Sequence, residues 1–381
     1  MSYIRYAHAL SFADTVTVIK TIGHLRSVIV LGENGVGKTA LFHHLKALPE
    51  FANHIAVDPI DCTQLSDGSF FIPDVDRELG VSRELPNERL GLSKLNHRGV
   101  PGAKPILAFL DEIAKAKQYI KEIVAPYFYE RRLGIYHAPV GSVIFGASNL
   151  DVEGLGDSFQ QHLMTRIIPI ILRKPNAEEL IVYATAQNWH PAVIAFLTFF
   201  PKLMDSFMDY MPGGKYERRD LDKDNEFIFN PALGTAAPCC NPRTMNAASD
   251  VLHAGLGVLP DFALFAALCG AIGETGAYAL MTFVKLSASI TDYGRVIRDP
   301  LGAPLSDNAT AQLMQAYQFV SRVSNRDEAA ACTQYVTRMQ EEMQNVFCHS
   351  VASGGAAKVA LFSTILDYNE MNKRQLVYGS N

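Results

Sequence analysis

The chain has 381 residues but only six cysteines, so it lacks the thiol density of a disulfide-stapled scaffold. The six read as reduced thiols of a cytoplasmic protein. It has no excess of positive charge. Its 34 basic and 39 acidic residues leave a net −5, which argues against a broadly basic coat for nucleic acid. No basic segment followed by an apolar one opens the chain, so no targeting signal is expected. No apolar run reaches the ~20 residues of a membrane span. The longest, Phe262 to Gly273, is bounded by Asp261 and Glu274 and reads as part of a buried helix over residues 262–286. Repeats and low-complexity tracts are absent. A hydrophobic fraction of 48% with 19% charged residues is ordinary globular usage, and the length fits two or three domains.

What is present is concentrated early. Ser27 to Leu31 is a short β-branched run that reads as a buried strand. Gly32-Glu33-Asn34-Gly35-Val36-Gly37-Lys38-Thr39 follows, and Ala40 to Leu48 has helical composition. This is G-x-x-x-x-G-K-[ST] between a strand and a helix. The glycines allow a tight wrap that turns backbone N–H groups toward phosphate oxygens, and the helix start adds partial positive charge. Lys38 is expected to reach the β- and γ-phosphates of ATP, and the Thr39 hydroxyl to bind Mg²⁺. Glu33, Asn34, Val36 and Ala40 complete the cradle.

A second apolar run, Ile106 to Leu110, ends in Asp111-Glu112. Ligands of open α/β sheets lie beyond the carboxyl ends of the strands, so this pair is expected beside the phosphates. Asp111 then holds the metal and Glu112 polarises the attacking water. A small-molecule kinase has no need of that second acid, because its nucleophile is a substrate hydroxyl. An Asp-Glu pair also suits the start of a helix, but behind a phosphate loop it favours hydrolysis. A third strand, Ser142 to Ser148, ends at Asn149, whose amide can bond the γ-phosphate or the water.

The order of these elements resembles the AAA+ ATPases. Asp111-Glu-Ile-Ala-Lys-Ala116, Glu130-Arg-Arg-Leu-Gly134 and Ala147-Ser-Asn149 are most similar to the MoxR and dynein-related branch. The resemblance spans residues 20–255. It implies an α/β P-loop domain (1–172), a helical lid (173–255) and a helical C-terminal extension (256–381). It also implies a sensor role for Asn149, a trans-acting arginine finger at Arg166, and a second sensor at Arg243 in Asn241-Pro-Arg-Thr244. Arg131 and Arg132 are further candidates for a trans arginine. The implied assembly is a homo-oligomeric ring, a hexamer, acting on a protein client, in some relatives with a von Willebrand A partner. The family's Gly-Pro pair ahead of the acidic strand has only a loose counterpart in Gly99-Val-Pro-Gly102.

Elsewhere, Asp61 to Arg83 reads as a loop insertion with Phe70-Phe71 as its apolar tip. Pro126 is expected to end or kink the helix after Asp111. Pro212 to Glu226 reads as an exposed charged loop. Met314–Arg322 and Val336–Phe347 look amphipathic. Adjacent Cys239-Cys240, without further ligands at zinc spacing, does not make a metal site. A nucleic-acid motor, a non-catalytic nucleotide-gated module and a metabolic kinase are the competing readings.

Overall fold

A computed structural model describes residues 8–150, 165–210, 225–229, 237–286 and 290–378. The chain forms two compact units, with the main break between Lys174 and Pro175.

The first unit is built on a parallel sheet. Its strands are β1 (Val28–Gly32), β2 (Ile55–Ala56), β3 (Ile60–Asp61), β6 (Ile106–Asp111), β9 (Val143–Ser148) and β10 (Ile168–Leu172). They run in the order β10-β1-β9-β6-β2, and β3 continues the edge by pairing with β6. Every pairing in this sheet is parallel. Strands buried on both faces must be apolar at every position, and β6 and β9 are buried along almost their whole length. Alternate residues serve opposite layers. Val28, Val30, Leu107, Phe109 and Phe145 pack against α1 (Phe12–Ile22) and α2 (Lys38–Ala47). Ile29, Ala108, Leu110 and Ile144 pack against α3 (Gln118–Ala125) and the turn after it. Each strand therefore delivers its last residue to the same end of the sheet.

The sequence reading left α1 out. Its start is fixed by Ser11, whose hydroxyl accepts from the Asp14 amide at 3.1 Å. Pro126 closes the regular helix α3, and Pro126–Glu130 continues as one wide turn. Arg131 follows in the left-handed region, at φ 51°, and leads into a small hairpin of β7 (Arg132–Leu133) and β8 (Tyr136–His137).

The insertion is not a loop with an aromatic tip. It holds an antiparallel hairpin, β4 (Phe71–Asp76) with β5 (Val81–Pro86). Phe70 is completely buried and Phe71 is half-buried. Fully burying a phenylalanine contributes about 1.5–3 kcal/mol over leaving it in water, so Phe70 goes to the core. The exposed apolar residues are instead Ile72, Val75, Leu79 and Val81 on the hairpin.

The second unit is helical and has two apolar cores. One gathers the helices Ala177–Ala186, Pro191–Phe199 and Pro242–Gly255 with much of 261–286. The other joins Val296, Phe319, Tyr335, Phe347 and Phe362 from the later helices. Two expectations fail here. The apolar stretch Asp261–Leu286 is not one buried helix: Gly273 has φ 81° and ψ 164°, outside any helix. Lys285 Nζ lies 2.8 Å from Asp261 Oδ2, so the two arms fold back on each other. A straight helix would separate those residues by roughly 36 Å. Phe262 and Tyr278 are exposed. By length and hydropathy Asp261–Lys285 resembles a membrane span, but each arm is far shorter than one. Likewise Val336–Phe347 is not continuous, because one helix ends at Val336 and the next begins at Glu341. Most of the charged 212–226 segment lies outside the described residues.

Candidate functional site

Gly32 closes β1 with no room for a side chain. A Cβ there would sit 3.0 Å from the Leu172 carbonyl oxygen and 3.0 Å from Val36 Cγ1. Gly35 (φ 73°) and Gly37 (φ 106°) then take backbone angles that L side chains avoid, and the chain turns back into α2. No side chain caps α2. The first-turn N–H groups of any helix lack intrahelical acceptors. An uncapped helix start behind a tight glycine loop is the arrangement that takes a phosphate.

Lys38 and Asn149 are both buried, and their side chains meet. Lys38 Nζ donates to Asn149 Oδ1 at 2.6 Å and to the carbonyls of Gly32 and Glu33 at 2.9 Å each. Thr39 Oγ1 donates to Asp111 Oδ2 at 3.0 Å. Asp111 Oδ1 accepts from the Glu112 amide at 2.9 Å. Burial pushes the Asp111 carboxyl above the usual carboxylate range, and the Thr39 and Glu112 donors partly offset that. Thr39 and Asp111 thus present adjacent hard oxygens, the donor type that Mg²⁺ prefers. A cation there would add to the positive charge that Lys38 already offers this half-buried carboxylate.

Glu112 stands in the left-handed region (φ 52°, ψ 32°), an unusual backbone for a glutamate. Its Oε2 lies 3.0 Å from Lys115 Nζ. Both side chains are about one-quarter exposed, but Glu112 Oε2 itself is buried and accepts no hydrogen bond among the described residues. The register explains why these groups converge. Leu31 of β1 pairs with Ser148 of β9, and Leu110 of β6 pairs with Gly146 of β9. The Gly32 loop, Asp111-Glu112 and Asn149 therefore leave three adjacent strands at one end. The order β10-β1-β9-β6-β2 with the glycine loop after the β1 strand decides the class. This is a parallel α/β fold with a P-loop motif.

The solved structures similar to this P-loop chain are distant. A mutant form of RuvB from Thermotoga maritima matches at 16% identity over 78% of each chain, with a TM-score of 0.32. NtrX from Brucella abortus matches at 12% identity over 96% of this chain and 67% of its own, with a TM-score of 0.31. A putative ATPase from Cytophaga hutchinsonii matches at 9% identity over 94% of this chain and 79% of its own, with a TM-score of 0.33. No family model and no curated protein matches the sequence.

The remaining candidates have other described surroundings. Arg166 is exposed, and its guanidinium lies 5.8 Å from the Tyr129 ring centre. Arg131 and Arg132 are engaged locally. Arg131 donates to the Gly23 and Leu25 carbonyls, and Arg132 pairs with Glu130 at 2.6 Å. In this chain these contacts tie both guanidinium groups to the turn after α3 and its neighbours. Arg243 belongs to the second unit, where it is the exposed second residue of Pro242–Gly255. The sequence reading gave no role to Lys115 or Tyr129. Lys115 stands three residues after Glu112, a spacing that signals an ion pair when the intervening turn is helical. Nothing in the sequence marks Tyr129 as the ring beside Arg166.

Proposed function

We propose that this chain is a Mg²⁺-dependent ATPase of the AAA+ type, in the MoxR-like branch. It works as a homo-oligomeric, hexameric ring that remodels a protein client. One observation carries the reading: Lys38 to Asn149 and Thr39 to Asp111 are joined by hydrogen bonds of 2.6 and 3.0 Å at the ends of three adjacent strands. Lys38 and the loop amides bind the β- and γ-phosphates. Thr39 and Asp111 hold Mg²⁺, which, when bound, neutralises charge building on the phosphates. Glu112 accepts the proton of the attacking water, and its ion pair with Lys115 must first loosen. Asn149 orients the water or the γ-phosphate. Arg166 supplies positive charge to a neighbouring subunit's site. Arg243 reaches nucleotide from the helical lid of its own chain.

The short Arg132–Gly134 turn and the β4–β5 hairpin support the choice of branch. The hairpin's exposed Ile72, Val75, Leu79 and Val81 offer apolar contact to a protein client. A partner with a von Willebrand A domain belongs to the same reading, and the protein is placed in the cytoplasm.

Nucleotide-induced stabilisation tests the binding step. In Mg²⁺, ATP or ADP at a hundred times its Kd is expected to stabilise the wild type by about 2.7 kcal/mol, read as a rise in Tm. Lys38→Ala should lose that rise. A wild type indifferent to both nucleotides would overturn the reading.

A further inference from the structure

Arg166 lines a small cavity of about 180 Å³ together with Lys121, Glu122, Tyr129 and Glu130. Two carboxylates border it, yet Arg166 pairs with neither. Glu122 accepts from Gln118 Nε2 at 3.0 Å, and Glu130 is held by Arg132 at 2.6 Å. Among the described residues the Arg166 guanidinium makes no hydrogen bond and no ion pair. Its contact is with the Tyr129 ring, 5.8 Å from the ring centre and inside the ~6 Å reach of a cation–π interaction. A carboxylate partner would neutralise the cation and occupy its N–H groups. A ring face steadies the cation and leaves those donors for another anion.

The fold fixes the backbone on both sides of this contact. Tyr129 lies in the wide turn Pro126–Glu130. The carbonyl of its neighbour Phe128 accepts from the Ser27 hydroxyl. Ile168, two residues after Arg166, donates its amide to the Ser27 carbonyl at 2.9 Å. Ser27 therefore ties the turn that carries the ring to the strand that follows the arginine. Arg131 holds the same turn to the Gly23 and Leu25 carbonyls.

We propose that Tyr129 is a positioning residue for Arg166: its ring holds the guanidinium ready for a phosphate of the nucleotide bound by a neighbouring subunit. An exposed arginine loses side-chain entropy when it is fixed in one geometry. A platform on its own chain makes that loss before the reaction rather than during it. This inference rests on the assignment of Arg166 to a neighbour's site.

The test is steady-state ATP turnover of the assembled wild type, Tyr129→Leu, Tyr129→Phe and Arg166→Ala. Leucine keeps an apolar side chain without a π face, and phenylalanine keeps the face and drops only the hydroxyl. Circular dichroism and thermal unfolding establish that each variant is folded, and Tyr129→Met carries the comparison if the leucine variant is not. Positioning predicts that Tyr129→Leu lowers kcat about fivefold, with the KM for ATP and the assembled mass unchanged, and that Tyr129→Phe keeps wild-type turnover. Mixed assemblies add a readout that a local packing fault would not move. Glu112→Gln chains retain Tyr129 and Arg166, so co-assembly with them should return each Tyr129→Leu chain toward wild-type turnover. Full turnover in Tyr129→Leu, an equal loss in Tyr129→Phe, or no recovery in mixed assemblies would overturn the inference, while a loss in Arg166→Ala keeps the trans assignment standing. An Arg166→Ala variant as active as the wild type would overturn that assignment and the inference together.

Discussion

Glu112→Gln is expected to slow ATP turnover by a factor of about 10²–10⁴ while ADP affinity stays within a few-fold of the wild type. The substitution preserves size and removes only the proton acceptor. Its structural cost is confined to the ion pair with Lys115, since the amide has the shape of the carboxylate it replaces. The left-handed backbone at residue 112 is shared by both variants, so the turn out of β6 should persist. Phosphate release under saturating ATP, measured beside ADP binding, separates the two effects. Full turnover in the glutamine variant would remove Glu112 from the chemistry and return the role of base to another group. A loss of both turnover and ADP binding would mean that the substitution disturbed the cradle instead.

Arg166→Ala is expected to cost about 10³–10⁵ in turnover under conditions where the wild type is assembled. Arg166 is exposed, and it stands over Tyr129 rather than among Lys38, Thr39 and Asp111. Within one chain it therefore has no part in the hydrogen-bonded constellation. If it completes a neighbour's site, turnover per chain must rise with protein concentration as subunits associate. The alanine variant should give a flat, low line over the same range, with nucleotide binding retained. A concentration-independent wild type with an indifferent variant would mean a self-contained site, and the ring would be dropped.

The residues that gather at the strand ends were more legible in the sequence than the architecture around them. The glycine loop could be read because phosphate binding demands particular residues at fixed spacing. The β6 and β9 strands could be read because burial on both faces forces a continuous apolar run. Gly273 was not readable as a break, since its neighbours are as apolar as any core helix. The carbonyl of Pro238, only 2.5 Å from where a Cβ would stand, makes glycine necessary there, and that contact is tertiary. The β4–β5 hairpin was hidden by a turn whose signal is modest. Asp76 Oδ1 accepts from the Glu78 and Leu79 amides, and Gly80 takes φ 64°. Phe70 and Phe71 looked alike as an aromatic pair, yet alternation sends one to the core and leaves the other half-exposed. The Lys38–Asn149 bond joins positions whose proximity depends on strand order, which local sequence pattern does not encode.

Phosphate release from ATP by the wild-type chain, in Mg²⁺ and in excess EDTA, tests the central claim most directly. The account predicts sustained release in Mg²⁺ that falls to background in EDTA and returns when Mg²⁺ is restored. Tight ATP binding with no release in Mg²⁺, at concentrations where the chain is assembled, would contradict it and make the protein a nucleotide-gated binding module.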